Sequence, residues 1–297
     1  MTLEIFLQNV ANAISLGSLY ALIAIGYTMV YGIIRLINFA HADLLMVAGY
    51  ISFYGILIFA MPWWLAFLIA IALTTILGMA MEKLAYRPLR NAPRISALIS
   101  AIGMSFLLQN LGIVLVGASP KPFPRPEGLV WNIHLGSVSF LSLTVIIPVI
   151  TLLLLAAVYL VVNKTNTGIA MRAVSRDFET ASLMAVDVNK VVVTTFAVGS
   201  GLAAVGGIMW SLQYPQIDPL MGVFPGLKCF IAAVMGGIGS VPGAMIGGFI
   251  LGIGEIMLVA FMPELSGYRD AFAFVVLILI LLFKPGGILG DHVVEKV

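Results

Sequence analysis

AISLGSLYALIAIGYTMVYGII, residues Ala13–Ile34, runs without a single charged side chain until it meets Arg35. A helix rises 1.5 Å per residue and the hydrocarbon core of a bilayer is about 30 Å thick, so roughly 20 apolar residues are enough to cross it. This stretch therefore reads as a membrane span. The same test applied outward finds Leu44–Ala60, Trp63–Met81, Ile95–Val116, Leu141–Val162, Val191–Leu212 and Val241–Met262, with Tyr268–Phe283 as a shorter last segment. Leu227–Ile238 is also apolar but short, carries Lys228, and ends in a glycine-rich turn, so it either crosses as a broken half-span or re-enters on the side it left. The fold class expected is all-α: a polytopic transmembrane helical bundle of about 8–9 membrane segments, the short broken one included.

Composition agrees. The 297 residues are 61% hydrophobic and only 9% charged, against about 25% charged in an average soluble domain. The apolar runs far exceed the ~9–11 residues of a barrel strand. A net charge of +2 gives no reason to expect a nucleic-acid partner, and the lone Cys229 rules out an internal disulfide and a cysteine metal cluster. The opening Met1-Thr2-Leu3-Glu4 lacks the basic region of a signal peptide, so the first apolar segment is expected to be retained.

The longest polar interruption is Asn163–Lys190, with Lys164, Arg172, Arg176 and Lys190. Thr167 to Ala185 contains no proline and one glycine, which predicts a short helix outside the bilayer, shown to a soluble partner. A second basic loop, Glu82–Arg94, also has four Lys/Arg, whereas the Pro-rich loop between Gly117 and Gly136 has two and is expected to be extended. Basic loops stay in the cytoplasm. That rule puts the N-terminus outside and the 163–190 loop inside, with the C-terminus also inside if Leu227–Ile238 crosses.

Polar groups at membrane depth are costly and tend to face a cavity or a partner. Here they are Arg35, Asn38, His41, Asp43, Gln109, Asn110, Lys228, Glu255 and the Arg269–Asp270 pair. Asn38, His41, Asp43 and Glu255 are the candidates for a pathway or for packing. Lys228 or a buried hydroxyl could partner Glu255. His41 and Asp43, two apart, point to different sides of a helix, and His41 reads as a helix-start residue. Gly239, Gly243 and Gly247 lie four apart, as do Gly248 and Gly252, while Gly199, Ala203 and Gly207 form a similar face; such spacing lets helices approach closely. His41, His134 and His292 are too scattered for a metal site. No catalytic, nucleotide-binding or metal motif appears, so neither enzyme activity nor a cofactor is expected. One mid-span acid is thin support for a secondary carrier, and the polar loop suggests that energy arrives from outside the chain.

Longer motifs carry a resemblance: GSLYALIAIGYTMVYGI at 17–33, INFAH at 37–41, AYRP at 85–88, ISAIGM at 99–104, GLKCFIAAVMGGIGSVPGA at 226–244, and GILG at 287–290 with VEKV at 294–297. The chain resembles the permease subunit of the branched-chain amino acid ABC importers, of the H type. That resemblance implies one transmembrane permease domain over 1–297 with a cytoplasmic coupling loop at 163–190. It also implies a second homologous permease, two cytoplasmic ATP-binding subunits and a periplasmic amino-acid-binding protein as partners, in the lipids of a bacterial inner membrane. The family's ATPase-facing core falls on Thr167, Gly168, Ala170, Arg172, Ala173, Ala181, Ser182 and Leu183, with Arg176 beside it. The usual glycine after INFAH is Ala42, Ile169 follows the loop's glycine, and Ala185 stands where glycine is common; Ala185 implies either an extra turn of helix or loss of a positive-φ cap. Urea and short-amide importers use related permeases and are the nearest alternative, with a proton-coupled carrier using Glu255 further off.

Overall fold

The computed structural model describes residues 2–90, 92–135 and 138–290. His292 and the VEKV motif lie outside the described residues. Eleven α-helices are found among those described: α1 (Leu3–Ile34), α2 (Asp43–Leu57), α3 (Trp63–Met81), α4 (Arg94–Val116), α5 (Leu143–Lys164), α6 (Asn166–Arg176), α7 (Phe178–Leu183), α8 (Val188–Gln213), α9 (Val223–Gly236), α10 (Val241–Phe261) and α11 (Arg269–Phe283). Eight helical segments are long and apolar enough to cross a membrane, and α9 is a shorter apolar helix. The all-α transmembrane architecture thus stands. Trp63–Met81 begins and ends where the hydropathy does, since Pro62 precedes its first turn. The first span begins at Leu3 rather than Ala13.

Two stretches expected to be loops have more structure. Past Met81 the chain stays helical, first with π geometry over Glu82–Tyr86 and then as a 3-10 turn over Arg87–Leu89. The Pro-rich connection contains strands β1 (Lys121–Pro122), β2 (Asn132–Leu135) and β3 (Val138–Leu141). β2 and β3 form an antiparallel hairpin, and β1 pairs with β4 (Gln216–Ile217), where Pro122 sits at the edge that proline tolerates.

The chain divides into two compact units, one made of Met1–Thr28, Arg125–Leu152 and Leu227–Val297, the other of Met29–Pro124 and Leu153–Gly226. In the second unit α2, α3 and α8 pack pairwise. A Cβ on Gly207 of α8 would strike the backbone of Leu45 on α2, so the expected small face on this helix is a real close approach.

In the first unit, Gln8 near the start of α1 donates to the Ser139 carbonyl of the hairpin at 3.0 Å, while Thr28 accepts from the Gly239 amide at 2.8 Å. Twenty helical residues separate Gln8 from Thr28, about 30 Å at 1.5 Å each. The α9–α10 turn thus lies about 30 Å along α1 from the hairpin. Beyond α11 the tail closes on this turn, with the Ile288 and Leu289 amides each 2.9 Å from the carbonyls of Met235 and Gly236.

The glycine row of α10 is resolved into separate contacts. Gly239 is not on the helix; it sits in the preceding turn at φ 97°, because α10 starts only at Val241 after its Ser240 cap. Gly243 and Gly247 abut the carbonyls of Gly236 and Ala232 on α9, and Gly248 and Gly252 abut the α1 backbone at Ala21 and Gly17. Gly252→Val should therefore destabilise the protein by about 3 kcal/mol, the upper range for overpacking, whereas Gly103→Ala, with nothing nearby, should leave thermal unfolding in detergent unchanged.

Candidate functional site

The polar loop is built by capping. Thr165 is the N-cap of α6 and its side chain accepts from the Gly168 amide at 3.1 Å. Gly168, Met171 and Val174 recur at helical spacing and form the buried face. Gly168 has to be glycine, since a Cβ there would collide with the Val161 and Val162 carbonyls that end α5. Arg172 donates to the carbonyl of Val162, one of the α5 carbonyls left without a helical partner. The guanidinium expected to reach a partner protein is thus engaged in holding α6 against α5.

The single helix expected over Thr167–Ala185 is two helices. Asp177 takes an extended conformation, φ −151° and ψ 116°, and breaks the run. Its carboxylate accepts from the Glu179 and Thr180 amides at 3.0 and 3.1 Å and from the Thr180 hydroxyl at 2.6 Å, starting α7 afresh. These bonds, the Thr180 hydroxyl first, hold its pKa below the usual carboxyl value of 3.8. Ala185 brings neither of the two outcomes expected of it: α7 ends at Leu183 and Ala185 itself adopts φ 60°. The left-handed cap survives without glycine, at a local cost of about 1 kcal/mol.

The loop's side chains divide sharply. Ala181 is buried and cannot form part of an outward seat, while Ala170 and Ala173 are half-buried. Leu183 is 85% exposed, Met184 75% and Ile169 57%, and Thr167, Arg176 and Ser182 are exposed as well. The Ser182 hydroxyl donates back to the Glu179 carbonyl at 2.7 Å. Asp187 caps α8 through the Lys190 amide at 3.0 Å.

Asn38, His41 and Asp43 are buried where α1 gives way to α2 through a 3-10 turn, Phe39–His41. Tyr86 donates to Asn38 Oδ1 at 2.6 Å, and Gln109 donates to Asp43 Oδ1 and to the Ser105 hydroxyl, both at 3.0 Å. Sequence reading missed Tyr86, Ser105 and the buried ion pair Glu82–Arg90, whose Arg90 also donates to Asn189 Oδ1 at 2.8 Å. Glu82 was hidden because a polar run at a span's end looks solvated.

Glu255 has the partners its position called for. Lys228 Nζ lies 3.0 Å from Oε1, and the Tyr20 hydroxyl donates to Oε2 at 3.1 Å. Lys228 also pairs with Asp270 Oδ1 at 2.8 Å, drawing α9, α10 and α11 together. Among the described residues no three His, Cys, Asp or Glu side chains form a metal-binding group.

Helical spans, a capped polar loop and paired charges between helices make this a polytopic α-helical membrane protein. The chain belongs to the family described as branched-chain amino acid transport system / permease component, whose model matches residues 9–281. It is 43% identical to the high-affinity branched-chain amino acid transport system permease protein LivH of Escherichia coli K12, over 98% of both chains. It is 42% identical to BraD of Pseudomonas aeruginosa, a permease protein of the same description, again over 98% of both. A probable branched-chain amino acid transport permease of Methanocaldococcus jannaschii is 28% identical over 94% of this chain and 91% of its own.

Because the Asp177 carboxyl sits below its ordinary pKa in the folded chain, its cap is fully present above that ordinary value and is lost as pH falls through the lowered one. Asp177→Ala should raise amide exchange at Glu179 and Thr180 at neutral pH, relative to intrinsic rates, and abolish that acid transition; Asp177→Asn should retain part of the protection.

Proposed function

We propose that this chain is the permease subunit of an ATP-binding-cassette importer that carries branched-chain amino acids (leucine, isoleucine, valine) across the bacterial inner membrane. The observation that carries this reading is the end-to-end match to permeases named for that transport, at 42–43% identity over 98% of the chain. A second homologous permease, two cytoplasmic ATP-binding subunits and a periplasmic amino-acid-binding protein complete the assembly. The N-terminus lies outside, and the 163–190 loop and the C-terminus lie in the cytoplasm, in line with the basic residues of the loops.

In this reading α6 and α7 seat in a cleft of the ATPase, and closure of the ATPase pair is converted into alternating access. The apolar seat is Leu183 and Met184 with Ile169, and Arg176 is the guanidinium left facing outward. Ala170, Ala173 and buried Ala181 pack the loop beneath it. Asn38, His41 and Asp43 stiffen the junction of α1 and α2, while Gly239 turns the chain between α9 and α10 and Gly243 and Gly247 pack the two helices together. Lys228 answers the charge of Glu255, which weakens the case for a proton-coupled carrier built on that carboxylate. Transport of urea or a short amide is the second substrate reading, and competition between leucine and urea for uptake separates the two.

Leu183→Glu adds a charge to an exposed site without disturbing the fold. It should cut ATP hydrolysis stimulated by loaded binding protein at least about tenfold, a loss of roughly 1.4 kcal/mol in coupling, while the two permeases still co-purify. Unchanged stimulation in an intact complex would show that the ATPase does not seat on this loop.

A further inference from the structure

Lys228 answers to two carboxylates of different kinds. Glu255 is almost fully buried at 1% exposure and holds Lys228 at 3.0 Å, so these two already make a neutral pair. Asp270, 2.8 Å away on the other side, has a side chain 56% exposed. Exposure leaves its carboxylate open to exchange, whereas that of Glu255 is enclosed. Next to it on the first turn of α11, the Arg269 Nε–H is buried and has no hydrogen-bond partner, a donor that a ligand oxygen would satisfy.

The position is suggestive. Lys228 lies on α9, which at 14 residues is the short apolar helix of this chain, opened by Pro225 and Gly226 and closed by Gly236. Short, interrupted helices are where transporters place their ligand groups. Tyr20, whose ring is 6.0 Å from Lys228 Nζ, adds an aromatic wall. All five groups belong to the same compact unit.

We propose that Lys228 and Arg269 form a subsite for the carboxylate of the transported amino acid, and that Asp270 occupies it as an internal stand-in until substrate displaces it. This rests on the amino acid import reading above and adds to it a carboxylate-binding point in the permease itself. Exchanging one carboxylate for another leaves the charge at Lys228 unchanged, so entry and release both stay easy. Glu255, 3.0 Å from its Nζ, keeps Lys228 aimed, as a positioning residue.

The test uses the complete importer, with radiolabelled leucine binding measured without the binding protein and uptake measured with it. Asp270→Asn removes the stand-in, and half-saturation should fall about tenfold, the factor recovered when a competitor that occupies the site roughly nine-tenths of the time is lost. Leucine amide, which lacks the carboxylate, should not compete. Lys228→Gln combined with Glu255→Gln removes the buried pair without leaving either charge alone and should abolish leucine binding. A purely structural clamp predicts the reverse for Asp270→Asn: a lower melting temperature with unchanged leucine affinity. That result, or equal competition by leucine amide, overturns the subsite while leaving the import reading intact. An importer that takes up no leucine at all overturns both.

Discussion

Hydrocarbon offers a backbone amide no hydrogen-bond partner, and each one left unmet costs several kilocalories per mole. Almost everything in this structure follows from that constraint. The chain answers it by making helices wherever it is apolar and by confining its strands to the connections outside the spans. It answers it again at helix ends with caps, as Thr165, Asp177, Asp187 and Ser240 supply side-chain oxygens to amides that would otherwise be bare. Even Arg172 serves this need, since it takes up a carbonyl that ends α5.

With the backbone satisfied, helices in a membrane have little hydrophobic reason to associate, because lipid is as apolar as leucine. Two other forces bring them together here. Glycines let backbones touch, α10 against α1 at Gly17 and Ala21 and α8 against α2 at Leu45. Charges too expensive to leave alone recruit partners: Glu255 and Asp270 come to Lys228 from other helices, while Arg90 pairs with Glu82 on its own helical run and reaches Asn189 on α8. The same ion pairs that hold helices together are the places where a polar solute could be handled, which is why the Lys228 cluster invites a functional reading.

Much of this was legible in the order of residues. Spans are set by runs of apolar side chains against a fixed bilayer thickness, so Trp63–Met81 and Val241–Met262 could be read almost to the residue. The polar loop was legible as a loop for the same reason. Its break was not, because the sequence permits either a continuous helix or a cap at Asp177, and only the bonds to Glu179 and Thr180 choose between them. Likewise Ala185 keeps a left-handed conformation that its side chain disfavours, held by the Val186 amide bonding back to the Ala181 carbonyl at 3.2 Å.

What the sequence by itself determined is the class of protein, the number and extent of most spans, the polar loop and, through long motifs, the family. These depend on local composition and on length, which a one-dimensional pattern carries in full. What only the tertiary structure decided is pairing: that Glu82 is a buried partner of Arg90 rather than a loop charge, that Gly239 turns the chain instead of packing a helix, and that Lys228 stands between Glu255 and Asp270. Those residues are far apart in the chain or their roles depend on a neighbour's position. Burial and partnership are properties of pairs in space, so no periodicity in one segment can specify them.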